Sequence, residues 1–199
     1  MGQYYRPLII TEGKRNQTFL SHDFDSGLKL MEHSWYRNPF VNAVMVKLVD
    51  SPKRVAWIGD YSNDRMILNG FAFTPKIFEK YYKSAWKIKP LSAINIMPKV
   101  EKFIEDIDNY VLINRTKRQY IKMGDYYKLY SRNEWCTHPL SLLTACGNGL
   151  GGGDYRSEFN ESFVGYWAFD LLEVKKEIPY GHVDIVSEIG FIEDWQENF

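Results

Sequence analysis

The 199 residues include 25 Lys plus Arg and 25 Asp plus Glu, a formal net charge of zero. Proteins that bind along duplex nucleic acid carry a basic excess, because phosphate neutralisation drives their affinity. The balance here argues against long nucleic acid as a partner and leaves only a local basic patch open.

Two cysteines, Cys136 and Cys146, are too few for a disulfide framework, and no Cys-x-x-Cys or paired Cys/His spacing offers a metal site. With 45% hydrophobic and 25% charged residues the composition is ordinary for a globular chain. The length supports one compact domain, residues 1–199, with a core that needs no covalent staple. Aromatics make up 16%, which suits a sheet-rich fold or a surface that stacks on something flat. The opening Met1-Gly2-Gln3-Tyr4-Tyr5 lacks a signal peptide's apolar stretch, and Gly2 is a poor myristoylation match. No apolar run approaches the roughly 18 residues of a membrane span. The expectation is a soluble cytoplasmic protein.

Residues 4–11, rich in aromatic and β-branched side chains, read as a strand, with 17–24 as its hairpin partner across 12–16. Residues 26–33 read as a short helix. Asn38-Pro39 is a helix start, with an N-cap followed by proline at the first turn. Behind it Phe40, Val41, Val44, Met45 and Leu48 share one face, and Pro52 ends the run. Residues 54–58 are a short buried strand stopped by Gly59-Asp60. Thr74-Pro75 opens a second helix with Ile77, Phe78, Tyr81, Tyr82 and Ala85 in phase, and residues 98–109 hold a third. Residues 110–113 and 119–121 flank a hairpin whose Arg115, Lys117 and Arg118 read as a solvated basic tip. Residues 137–146 are apolar, 163–174 are strand-like, and 179–191 mix turn and strand. The sum is an α+β fold with a mixed or antiparallel sheet and about three helices.

Gly-Asp-Tyr occurs three times, at 59–61, 124–126 and 153–155. The unequal spacing is no repeat period. Each copy reads as a turn in which glycine takes a positive φ, aspartate caps, and tyrosine resumes a regular element.

The densest signal is Gly147-Asn-Gly-Leu-Gly-Gly-Gly-Asp-Tyr155, with five glycines in its first seven residues. Formally it matches a dinucleotide fingerprint. That fingerprint needs a helix directly behind it, and 155–166 shows no apolar helical face. There is no Gly-Lys-Ser/Thr, so a P-loop is excluded. Two readings stand. Bare amides of Gly149, Gly151, Gly152 and Gly153 approach a ligand, with Asp154 accepting hydrogen bonds from ribose-like hydroxyls and Arg156 facing an anionic group. Alternatively, the glycines mark a tight crossing of the protein's own backbone.

Elsewhere, His22 with Asp23 and Asp25 is either a general base beside a carboxylate or an Asx-rich turn. Asp60, Asp64 and Asp154 have the oxygen chemistry for a divalent cation, but nothing local demands one, and no cofactor is called for.

Several islands carry a resemblance. They are Gly2-Gln-Tyr-Tyr5, Gly27-Leu-Lys-Leu-Met-Glu-His-Ser34, Ile58-Gly-Asp-Tyr61, Tyr110-Val-Leu-Ile-Asn-Arg-Thr-Lys117 and His138-Pro-Leu-Ser-Leu-Leu-Thr-Ala145. The glycine loop and Val164-Gly-Tyr-Trp167 with Asp170 complete the set. Together they resemble a family of bacterial and phage proteins that has no assigned activity. The resemblance spans nearly the whole chain and implies a cytoplasmic, phage- or prophage-encoded protein; it carries over no catalytic residue. The family pattern often has a basic residue where this chain has Leu150, which weakens a phosphate contact there.

Three functional readings follow. The first is binding of a small polar ligand, with a nucleotide or nucleotide-derived signal as the leading class. It uses the glycine loop, Asp154, Arg156 and Asp60, with Tyr61, Tyr155 or Trp167 as a stacking face. In a phage setting, sequestering a host immune signal is one such role. The second is a hydrolase or transferase using His22, Asp60 and Asp154. The third is an inhibitory protein-interaction module, for instance through Tyr81, Tyr82 and Trp86 on one helix.

Overall fold

The computed structural model describes residues 2–62, 75–131, 135–147 and 163–190. Seven strands form one mixed sheet: β1 (Tyr5–Ile10), β2 (Lys53–Gly59), β3 (Val111–Asn114), β4 (Gln119–Lys122), β5 (Ala145–Cys146), β6 (Leu171–Lys175) and β7 (Val183–Asp184). Their order is β1-β2-β6-β3-β4-β7, with β5 beside β2. β1 runs antiparallel to all of β2 but its first residue, from Tyr5 opposite Gly59 to Ile10 opposite Arg54. The other edge of β2 is divided. Lys53 and Arg54 pair with β6, whereas Trp57 and Ile58 pair in parallel with β5.

Strand alternation sorts the side chains onto two faces. Tyr5, Ile9, Val55, Trp57, Leu112, Ile121, Leu172 and Val174 join the larger core cluster. Leu8, Ala56, Ile58 and Cys146 point to a smaller cluster on the opposite face.

Six helices occur among the described residues: α1 (Leu30–His33), α2 (Pro39–Asp50), α3 (Pro75–Lys87), α4 (Met97–Glu105), α5 (Met123–Tyr130) and α6 (Pro139–Thr144). The α+β class expected from the sequence holds, with more helices than the three anticipated. α2 starts where Asn38-Pro39 places it, the Asn38 side chain accepting the Val41 amide at 3.1 Å. It is buried beyond the one apolar face, with Asn42, Ala43 and Val46 also inside, because α4 and α6 close over it. Its C-terminus is capped by Lys53, whose buried ammonium donates to Ser51 O (2.9 Å) and Ser51 Oγ (2.8 Å) and to Lys47 O. α3 lies on the opposite face, where Tyr81, Tyr82, Ala85 and Trp86 pack on the smaller cluster.

Other expectations change. Residues 17–24 form no hairpin strand. Only Gln17 bridges Ile9, and Ser21–Phe24 is a 3-10 turn closed by Asp25 at φ 53°. α6 was visible only as an apolar run. Its start repeats the proline logic of α2, with His138 Nδ1 accepting the Leu140 amide at 3.1 Å. Of the strand-like 163–174 only 171–174 is strand, and β6 runs one residue further, to Lys175. The basic hairpin tip is solvent-exposed at Arg115, Thr116 and Arg118, and it is also tied down by charge. Lys117 reaches the buried Asp170 carboxylate at 2.8 Å and Arg115 pairs with the buried Glu173.

The Gly-Asp-Tyr turns also need another explanation. Gly59 and Gly124 do not take positive φ. A Cβ on Gly59 would stand 2.5 Å from Gln3 Nε2, and one on Gly124, inside α5, 2.7 Å from Asp108 O. Both glycines serve close approach. The third copy lies outside the described residues.

Candidate site at the carboxyl ends of β2 and β5

Ile58 of β2 pairs with Cys146 of β5 in a parallel ladder. The chain segments that follow, Gly59-Asp60-Tyr61 and Gly147, therefore leave the sheet side by side in the same direction. Two sequence signals separated by more than eighty residues meet at one corner.

The corner is built on the N-terminal segment. Tyr5 Oη donates to Gln3 Oε1 at 2.9 Å, with Gln3 fully buried. A Cβ on Gly147 would stand 1.9 Å from Tyr5 Oη and 2.7 Å from Gln3 Oε1. At Gly147 itself, then, glycine answers to packing by the protein's own chain. Asp60 is fixed through its main chain and one carboxylate oxygen. Its amide donates to Tyr4 O at 2.9 Å, Oδ1 accepts the Tyr4 amide at 2.9 Å, and its carbonyl accepts from Tyr82 Oη at 2.9 Å. The Ser62 amide closes a turn onto Gly59 O at 3.1 Å, and Ser62 Oγ donates to Cys146 O, tying the two exits together. Tyr61 stands 48% exposed at the same place.

Of the residues singled out from the sequence, the structure brings Asp60 and Tyr61 to the first glycine of the loop. Gly149, Gly151, Gly152, Gly153, Asp154, Tyr155 and Arg156 lie outside the described residues, as does Asp64. Trp167 is wholly buried, with its indole N–H donated to Gln119 Oε1 at 2.9 Å, so it presents no ring face to solvent. His22 is on the turn along the outer edge of β1, its side chain 62% exposed and 3.2 Å from Asp23 Oδ1. β1 stands between that turn and β2, and the described contacts do not join His22 to Asp60. Gln3, Tyr5 and Ser62 complete the corner and were not singled out, and Tyr82, read from the sequence as part of an interaction face, joins them through the Asp60 carbonyl. Their contacts span up to 84 residues of sequence, so no local pattern marks them.

Cys146 abuts the corner, but full burial pushes its thiol well above the ordinary range, which leaves it un-ionised and unreactive. Cys136, also buried, is pushed up to about 12. Among the described residues no group of three His, Cys, Asp or Glu side chains is placed to hold a metal ion. Asp60 offers its second carboxylate oxygen, and Tyr61 an accessible ring.

A large open cavity, about 590 Å³, lies elsewhere, between α2 and α4, lined by Val46, Phe103, Tyr110, Lys99, Lys102 and Lys176. It opens near Asp50, by the start of β2, roughly 20 Å of strand from Gly59.

No protein-family model, no curated protein and no solved structure matches this chain. Among the described residues no helix is long and apolar enough to cross a membrane.

Proposed function

We propose that this chain binds a small polar ligand at the shared exit of β2 and β5, and that the ligand class is a nucleotide or a nucleotide-derived signal. The observation that carries the reading is the parallel β2–β5 pairing. Ligands of open sheets sit outside the carboxyl ends of parallel strands, where loops from neighbouring strands converge. Here the described segments that leave side by side are Gly59-Asp60-Tyr61 and Gly147, the first residue of the glycine-rich run.

In this reading the amides of Gly149, Gly151, Gly152 and Gly153 approach the ligand without side chains in the way. Asp60 and Asp154 accept hydrogen bonds from hydroxyl or amine groups, Arg156 meets an anionic group, and Tyr61 or Tyr155 stacks on a base. The phage resemblance makes a host immune signal one such nucleotide.

The test starts with protein purified from cells, denatured, and its released small molecules identified by mass spectrometry. A nucleotide retained at near one per chain is the expected result. Asp60→Asn keeps the acceptor for the Tyr4 amide but removes the charge, so folding is unaffected and retention drops at least about tenfold, the scale of losing a charged hydrogen bond. A chain that releases nothing, and whose unfolding temperature is unmoved by a panel of nucleotides, would overturn the proposal.

A further inference from the structure

We infer that the exposed face of α3 is a docking surface for the phosphate backbone of a nucleic acid. Between residues 75 and 100 the chain has Lys76, Lys80, Lys83, Lys87, Lys89 and Lys99 against a single acid, Glu79. The zero net charge of the whole chain hides this local excess. Lys80, Lys83 and Lys87 follow each other at helical spacings of three and four, which stacks them along one side of α3. All three are exposed, and so is Lys89 just beyond the helix. Glu79 pairs with Lys83. Among the described residues Lys80, Lys87 and Lys89 have no ion pair. Like charges at these spacings destabilise a helix, and a polyanion laid along the stripe removes that repulsion.

The geometry selects among anionic partners. A helix that lies in a membrane surface presents its apolar face to lipid. The apolar face of α3, with Tyr81, Tyr82, Ala85 and Trp86, is already packed on the sheet. Acidic motifs are recognised by clusters of arginine, whose planar fork takes a carboxylate through two bonds, whereas the stripe on α3 is lysine alone. A phosphate backbone needs only cations at regular intervals. Lysine serves it as a point charge without reading sequence. The stripe is therefore a sequence-independent, salt-sensitive contact.

The experiment is fluorescence anisotropy with two labelled 20-base-pair duplexes of unrelated sequence. Four lysine contacts predict a slope of about −3.6 in log K against log salt, hence about a hundredfold weakening from 50 to 200 mM. Both duplexes bind equally. The triple reversal Lys80→Glu, Lys87→Glu, Lys89→Glu abolishes binding. The neutral set Lys80→Gln, Lys87→Gln, Lys89→Gln weakens it at least tenfold and flattens the slope, while the circular dichroism spectrum is unchanged. Lys128→Glu, on α5, has no effect, and Asp60→Asn retains duplex binding, which separates this surface from the ligand site. Absence of binding at 50 mM salt, equal binding by the neutral set, or tighter capture by anionic vesicles or polyglutamate would each overturn the inference.

Discussion

His33 has both ring nitrogens committed. Nε2 accepts the Trp57 indole N–H at 2.9 Å, so Nδ1 carries the proton and donates to Gly27 O at 3.0 Å. His138 is fixed the other way round, Nδ1 accepting the Leu140 amide and Nε2 facing Asn42 Oδ1 at 3.4 Å. Burial lowers His33 to about 4 and His138 to about 3. A second proton on either ring would turn an acceptor into a donor facing a donor. Both histidines are neutral in folded and unfolded chains above pH 6.5, so the full stability is present there. Below 6.5 the unfolded chain gains protons that the folded chain refuses, and stability falls until the folded values are reached. For His33 alone the loss is about 3 kcal/mol between pH 6.5 and 4. Urea unfolding at stepped pH measures it, and His33→Gln should remove roughly half of the slope in that window. Gly147→Ala is a second residue-scale prediction. Its methyl group meets the buried Tyr5 hydroxyl, so the variant should lose about 1–3 kcal/mol, read as a lower unfolding temperature. Neither role was legible in the sequence. A histidine's tautomer and a glycine's neighbours are set by residues distant in the chain.

At the scale of the element, the β3–β4 hairpin is held by charge. In its turn Asn114 Oδ1 accepts the Lys117 amide at 2.9 Å and Arg118 stands at φ 53°. From that turn Lys117 and Asn114 Nδ2 both reach Asp170, which is 2% exposed, each at 2.8 Å. Burial opposes ionisation of Glu173, yet Arg115 and Lys175 outweigh it and hold the carboxyl below its usual range. Breaking one side of a buried pair leaves an uncompensated charge, so Asp170→Asn should cost about 3 kcal/mol. The double variant Asp170→Asn, Lys117→Met should recover part of that loss, and chemical denaturation of the set measures both. The hairpin, α2 and the start of α3 were legible because their signals are local: turn residues between β-branched runs, and Asn-Pro or Thr-Pro before a periodic stretch. The clamp was not, because 53 residues separate Lys117 from Asp170 and nothing in the basic run names its acid. α5 was missed for a related reason. Gly124 reads as a turn residue until Asp108 O is seen where its Cβ would be.

For the molecule as a whole, the two faces of the sheet are unequal. Among the described residues α2, α4, α5 and α6 share the larger core cluster, and α3 is the helix that packs on the smaller one, built on Leu8, Ala56, Ile58, Ala85, Cys146, Ala168 and Phe169. Less buried apolar area means a lower local opening free energy. Amide hydrogen exchange followed by mass spectrometry should therefore find α3 exchanging at least tenfold faster than α2. If both exchange together at the global rate, the sheet opens as one unit and this reading is wrong. The α+β class was legible from interspersed helical and strand periods. A mixed sheet was one of the two arrangements expected; the β2–β5 pairing itself was not legible, since β5 is two residues long and gives no pattern of its own, yet that pairing is what brings Asp60 beside Gly147.

The divided edge of β2 has a consequence for synthesis on the ribosome. The strand is made early, and β1 can zip onto it at once. Its other margin waits for Ala145 and Cys146, then for Leu171 and Leu172, and Arg54 reaches Phe169 across 115 residues. Until those arrive, a hydrophobic strand hangs half-satisfied in the nascent chain, open to pairing with a neighbour's. Polypeptides stalled before residue 170 should accordingly be the ones that chaperones hold and that clump when chaperones are depleted.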